Sequence, residues 1–342
     1  MYVRRGINPW HLFHDSWRFL VFAALWALIV VYLREFQGIE AIGLPIAPVT
    51  TIGIAVSLYL GFKSRSAYGR WWEARRVWGD IVNNSRNWGN HVFNLVYSEN
   101  GKIDPAIHKE LIERHVAWVN ALAYQLRKAT RLKETSNTRI FGHRRVFDEH
   151  DFHQTADSYR RHMSDEGVAD VDRFANPAVH ILRRQGDALR QLAEQGVLDS
   201  YRHAQLMTVL GSFYNSQGSC ERIKNTPFPR QIANFGMAFT WAFIIMLPLA
   251  FVEIFETAIA DNNLSTLVRH EFMLTLVPFS VVISWIFYLM EKVSDSVEDP
   301  FEGGVTDVPI STLCRVIEID LKQMLGAEEV PPPVKPVDGV MY

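Results

Sequence analysis

The chain has 342 residues, 48% of them hydrophobic and 21% charged, with a formal net charge of -2. That length holds one large or two ordinary domains, and the near-neutral balance excludes a nucleic-acid-binding protein, which would carry a basic surplus. Cys220 and Cys314 lie far apart and match no zinc-ligand spacing, so reduced thiols are expected, with no disulfide framework and no bound metal.

Uncharged runs alternate with very polar ones along the chain. Met1 to Arg18 carries Arg4, Arg5 and Arg18 against Asp15, and Phe19 to Leu33 follows without charge. At about 15 residues this run is short for a span unless Trp17, Arg18 and Arg34 reach the interfaces. Its basic leader also suits a signal peptide. Trp26 and Tyr32 inside the run, and the lack of a small-residue cleavage site after it, favour a retained helix. Gly43 to Phe62 is a second uncharged run, about 20 residues long and enough to cross a bilayer core. Lys63 ends it. Lys63, Arg65, Arg70, Arg75 and Arg76 then stand against Glu73, the cationic flank expected on the cytoplasmic side. Ile54, Leu58 and Phe62 recur every fourth position and share one helix face. In most membrane helices such a row is packing or lipid contact, but around a symmetry axis it makes stacked hydrophobic rings able to gate by dewetting.

The polar block from Lys63 to Arg230 keeps a helical period. Ile107, Leu111, Trp118, Leu122 and Leu126 form one amphipathic face, Leu206, Val209, Leu210 and Phe213 another, and together they predict a cytosolic helical bundle. Asp104-Pro105 marks a helix start. Arg127 to Asp165 reads as a solvated loop or connecting helix. Gln231 to Val252 is a third uncharged run with Pro248 as a kink, followed by Glu253, Glu256 and Asp261; Phe272 to Met290, containing Pro278, is the fourth. Lys and Arg cluster on one side of these runs, so both termini and the polar middle are expected in the cytosol of an inner or plasma membrane protein. Ile310, Leu313, Val316, Ile317, Met324 and Leu325 predict one more amphipathic helix. The proline-rich stretch from Val330 to Tyr342 predicts an extended or disordered tail. The expected divisions are 1–62, 63–230, 231–291 and 292–342.

Other candidate sites are weak. His11 with His14, and His150 with His153, are spaced as ligand pairs, but no third ligand matches them, so surface or packed histidines are expected. His115 reads as a hydrogen-bonded core residue, Trp71, Trp72 and Trp78 as packing and interface anchors, and Glu221-Arg222 as a cytosolic ion pair. No nucleophile motif, phosphate-binding glycine loop or H-E-x-x-H appears, so neither an enzyme nor a cofactor is expected.

Gly61-Phe62 leading into Arg70-Trp71-Trp72-Glu73-Ala74-Arg75, after Ile54 and Leu58, resembles the second membrane helix of the bestrophin family. Cys220 to Pro229 is similar to that family's approach to its third membrane helix, and Glu298-Asp299-Pro300-Phe301-Glu302 to its segment after the fourth. The resemblance spans most of residues 10 to 315. It implies an all-α membrane protein with four transmembrane helices and a cytosolic helical bundle, assembled as a homopentameric ion channel. Ile54, Leu58 and Phe62 would then form the neck of an axial pore. The family's second constriction follows an Asp/Asn-Pro pair, here Asn176-Pro177, which carries the aperture to Ala178, where the family usually has a branched aliphatic; a slip of register brings Val179 or His180 there.

In calcium-gated members an acidic run follows the Asn-Pro-Phe. Here Gly303-Gly304-Val305-Thr306-Asp307 replaces it, so no calcium clasp is expected, and Asp299, Glu302 and Asp307 are left to capping and salt bridges. The neck has no charged ring. Glu40, Glu253, Glu256 and Asp261 at the outer mouth tilt the expectation toward small monovalent cations, with a chloride or other anion channel as the alternative. A four-helix transporter or membrane enzyme is the alternative of another class. It would more often place an ionisable or broken segment at the bilayer midplane, and none of the four runs carries a charge. The partners implied are further copies of the chain, the lipid bilayer and permeating ions.

Overall fold

A computed structural model describes residues 1, 3, 9–97, 104–128, 157–262, 265–337 and 339–341. Among the described residues the regular structure is helical: α1 (Pro9–Glu35), α2 (Ile46–Leu95), α3 (Pro105–Arg127), α4 (Asp165–Val171), α5 (Pro177–Glu194), α6 (Ser200–Asn225), α7 (Arg230–Asp261), α8 (Thr266–Leu274), α9 (Leu276–Glu298) and α10 (Ile310–Met324). The chain divides into two compact units. One comprises Arg4–Gly69 and Phe228–Glu298; the other comprises Met1–Val3, Arg70–Pro227 and Asp299–Tyr342.

The first unit holds the apolar parts of the four helices long and apolar enough to cross a membrane, which run over Phe13–Glu35, Ile46–Leu95, Arg230–Asp261 and Val268–Glu298. Here α2 buries Val49, Gly53, Val56, Leu60, Lys63 and Ala67, spaced alternately four and three, which is the seam of a helix packed along its length. Gly53 keeps that seam tight: a Cβ there would lie 2.7 Å from the Phe243 ring of α7. α1 packs on α9 and α7 through Phe19, Ala23, Ala27, Val30 and Val31, and Phe19 stacks on Tyr288 with centroids 4.1 Å apart. Pro248 removes one rung of α7, and beside that gap Trp26 Nε1 donates to the Ile245 carbonyl at 3.0 Å. The fourth uncharged run is broken by its own proline. Pro278 has no N–H for the Leu274 carbonyl and its ring would strike it, and Leu274 is where α8 ends.

The second unit is built around large rings. Trp78, Trp88, Trp118 and Phe213 are all 0% exposed, and α3 packs on α5, α10 and α6. The α3 face read from the sequence is the buried one, with Leu111, Trp118, Leu122 and Leu126 inside and Ile107 packed against the core. Asp104 caps α3 by accepting from Ala106 N at 2.9 Å, with Pro105 in the first turn, as the dipeptide predicts. α10 approaches α2 so closely at Gly89 that a Cβ would meet Met324 Sδ at 2.7 Å and Leu321 Cδ2 at 2.8 Å. The tail expected to be extended or disordered has no regular structure over 329–336, but its end is held: Val3 N donates to Gly339 O at 2.9 Å and Met341 N to Met1 O at 2.8 Å.

Candidate functional site

The seam that α2 buries leaves the opposite face outside. Ile54, Leu58 and Phe62 lie on that face, 59%, 61% and 70% exposed, three large apolar side chains in line. At 1.5 Å per residue the row is about 12 Å long. Two nearby hydroxyls turn back into the helix: Thr51 Oγ1 donates to Ala47 O at 3.0 Å and Ser57 Oγ to Gly53 O at 2.8 Å. From Ile54 to Phe62 the row is apolar, and exposed Thr50 stands one turn before it on the same face.

Lys63, expected as part of the cationic flank, points the other way. Its side chain is fully buried, with Nζ 2.5 Å from Glu291 and 3.6 Å from Asp295 of α9. The correction has a plain cause: Lys63 falls on the buried seam of α2, and an ammonium there needs a carboxylate beside it. Arg65, two positions on, is exposed.

The acids expected at the outer mouth are mostly engaged within the unit. Glu253 accepts from Ile46 N at 2.8 Å and so caps the start of α2. Glu256 takes a two-pronged contact from Arg34, Nε at 2.5 Å and Nη2 at 2.6 Å, with Arg269 at 3.8 Å. Beside it, Glu35 is buried between Arg269 at 3.1 Å and His270 at 2.8 Å. Asp261 is exposed at the end of α7, and the side chain of Glu40 lies outside the described residues. Arg34 thus binds a carboxylate.

In the second unit Asn176 caps α5, accepting from Val179 N at 3.4 Å, and Pro177 occupies the first turn. Ala178 is 0% exposed and belongs to the core. A side chain lining a passage between copies has to be exposed in one protomer, because assembly only adds burial. Val179 and His180 keep partial exposure, so the start of α5 presents them and not Ala178. His180 stacks on Phe174 with centroids 3.5 Å apart. Asn176 Nδ2 donates to Glu221 at 2.7 Å, Gln217 donates to the same oxygen at 2.8 Å, and Trp118 Nε1 donates to Gln217 at 2.9 Å. Glu221 and Arg222 are therefore not each other's partners. Arg222 pairs with Glu73 at 2.5 Å.

The loop after α9 is organised by Asp307. Its Oδ1 accepts from Phe301 N at 2.8 Å and Val308 N at 2.6 Å, and its Oδ2 from Gly303 N at 2.7 Å, with buried Arg127 at 3.5 Å. Phe301 sits at φ 72 with its ring fully buried. Glu302 pairs with Lys224 at 2.6 Å and Asp299 lies 4.0 Å from Arg70. Arg127, the start of the stretch read as a solvated loop or connecting helix, is the last residue of α3 and its side chain is buried.

His115 is a core residue as read: its Nε2 is 2.9 Å from Ser85 Oγ, and burial pushes its pKa down to about 3. His14 is exposed; the side chain of His11, and all of His150 and His153, lie outside the described residues.

Residues 16–323 match the family of the Bacterial/Fungal Bestrophin protein. A voltage-dependent anion channel-forming protein of Mesorhizobium japonicum is 27% identical over 93% of this chain and 87% of its own length. Its counterpart in Escherichia coli strain K12 is 26% identical over 97% of this chain and 94% of that protein. Among solved structures, a bacterial bestrophin homologue from Klebsiella pneumoniae superposes with a TM-score of 0.72 at 25% identity, covering 91% of this chain and 98% of the other.

Proposed function

The chain belongs to the bacterial and fungal bestrophin family, and from that premise we propose that it is a homopentameric membrane channel for small monovalent ions, not an enzyme. The single observation that carries the pore assignment is the α2 stripe, whose largest apolar side chains are turned out of a protomer that buries the opposite face along a regular seam. Copies around an axis would cover that stripe and make Ile54, Leu58 and Phe62 a neck that gates by dewetting. In the second unit the start of α5, with Val179 and His180 in place of Ala178, is the proposed aperture, and that unit is assigned to the cytosol by the arginines following Lys63.

The selectivity reading shifts from the one composition suggested. With Glu253 capping α2 and Glu256 bound to Arg34, Asp261 and Glu271 are exposed described acids left on that side to attract cations. The relatives' names speak of anions, so anion conduction becomes the favoured reading and monovalent cation preference the alternative. A transporter would be favoured by an ionisable or broken segment among the spanning helices; Lys63 is paired, but the fourth run is broken before Pro278, so that reading stays the alternative of another class. The test is the reversal potential of the purified protein in planar bilayers under a salt gradient. A value near the chloride potential supports the proposal, a value near the sodium potential returns the cation reading, and folded protein that carries no current removes the channel.

A further inference from the structure

Lys63 and Phe62 are neighbours on α2, yet one is 1% exposed and the other 70%. A helix turns about 100° per residue, so whatever fixes the direction of one side chain fixes the other. Lys63 is fixed from two sides. On α9, Glu291 lies 2.5 Å from its ammonium and Asp295 3.6 Å. On α7, Gly236 leaves the room the pair occupies: a Cβ there would lie 3.3 Å from Lys63 Cδ, 3.4 Å from Glu291 Oε2 and 3.2 Å from the Tyr59 ring. The Tyr59 hydroxyl donates to the Ile232 carbonyl at 2.9 Å, one turn before Gly236 on the same helix. One turn of α2, Tyr59 to Lys63, is thus tied to both α7 and α9.

Charge is an uncommon choice for such a seam. An ammonium buried among spanning helices is costly unless paired, and an aliphatic side chain would fill the same space without that cost. Direction is what the charge adds, because a greasy seam tolerates small rotations that a 2.5 Å ion pair does not. We infer that the Lys63–Glu291 pair, seated in the notch at Gly236, is the positioning device of the neck: it sets the rotation of α2 and so holds Phe62 on the exposed stripe. The role in gating rests on the proposal that this stripe is the neck. Without the Glu291 charge the ammonium keeps Asp295 as its one carboxylate on α9 and shifts toward it, α2 rotates with it, and Phe62 leaves the line of Ile54 and Leu58.

The test uses the full chain in lipid vesicles and two readouts. Phe62→Cys supplies a reactive thiol, whose rate of modification by a water-soluble methanethiosulfonate is measured with Glu291 intact and with Glu291→Gln; Cys220 and Cys314 are buried. Glu291→Gln alone is recorded in planar bilayers. The expected result is a change in modification rate of roughly tenfold, together with an altered open probability. The exchange Lys63→Glu with Glu291→Lys should bring both readouts back to within about twofold, which loss of packing alone does not predict. Gly236→Ala, which presses on the pair without touching its charges, should move the thiol rate in the same direction by about threefold. Unchanged rates and gating in folded Glu291→Gln overturn the inference; if that variant does not fold, an unchanged rate in Gly236→Ala does so. The thiol rates need no current. If the parent protein is silent while the rates shift as expected, the channel reading fails and the positioning of α2 stands.

Discussion

In the spanning unit α2 turns Ile54, Leu58 and Phe62 outward and draws Lys63 in to meet Glu291; in the other unit α3 turns Trp118 and His115 inward and leaves Lys109 and Glu110 outside. The same backbone geometry is used in opposite senses. Where water surrounds a unit, rings are hidden because hiding them is favourable. Where lipid or a dewetted passage is expected, apolar surface outside costs little, and the seam is free to carry a directional contact. The difference teaches that exposure carries different weight in the two units: three large apolar side chains in line are the proposed functional face in one, while in the other the exposed rings, such as Trp72 and Tyr201, stand outside a ring-filled core.

That comparison breaks most visibly in the ring core. Phe213→Ala removes a fully buried ring packed on Trp118, with centroids 4.8 Å apart, and should cost about 3–5 kcal/mol in equilibrium unfolding of the detergent-solubilised protein. Asp307→Asn should cost somewhat less, on the order of 2–3 kcal/mol, by leaving buried Arg127 and the loop amides poorly paired; a raised rate of proteolysis between α9 and α10 would check it.

Acid sharpens the contrast through His115. Its folded pKa of about 3 lies below the ordinary value of 6.5, so below about pH 6.5 the unfolded chain binds the proton and the folded chain does not. Stability from this group is therefore complete above pH 6.5 and is lost as pH falls toward 3. Between pH 7 and pH 5 the loss should be about 2 kcal/mol, and it should vanish in His115→Gln, as thermal melts at the two pH values would show. The smallest expected stability change lies on the stripe. Leu58→Ala with Phe62→Ala should shift unfolding by no more than about 0.5 kcal/mol in the protomer, since both side chains are exposed there, yet raise open probability in bilayers. Unchanged gating in that variant would reject the neck.

The sequence made the long-wave pattern legible. Four uncharged runs, the row at Ile54, Leu58 and Phe62, the cap at Asp104-Pro105 and the α3 face all follow from spacing, which a local pattern carries. Direction was harder. Lys63 looks the same in a flank as on a buried seam, and Glu291, which decides between them, stands 228 positions away. Glu256 read as a mouth charge for the same reason, its partner Arg34 being 222 positions distant. Ala178 shows the sensitivity of a helix to register: one step along α5 separates a buried methyl from the partly exposed Val179. The break before Pro278 was present in the sequence, because the proline rule names the carbonyl four residues back, yet a hydropathy window runs across it.

The carboxylate of Asp307 has room for about four acceptor contacts. Three are taken by the amides of Phe301, Gly303 and Val308, and the guanidinium of Arg127 lies against the fourth. Its coordination sphere is filled by the polypeptide itself, with arginine serving where a divalent ion would otherwise neutralise the oxygen pair. The loop therefore carries its own counter-ion by covalent attachment, and its conformation should be indifferent to chelators and to swings in cellular divalent concentration.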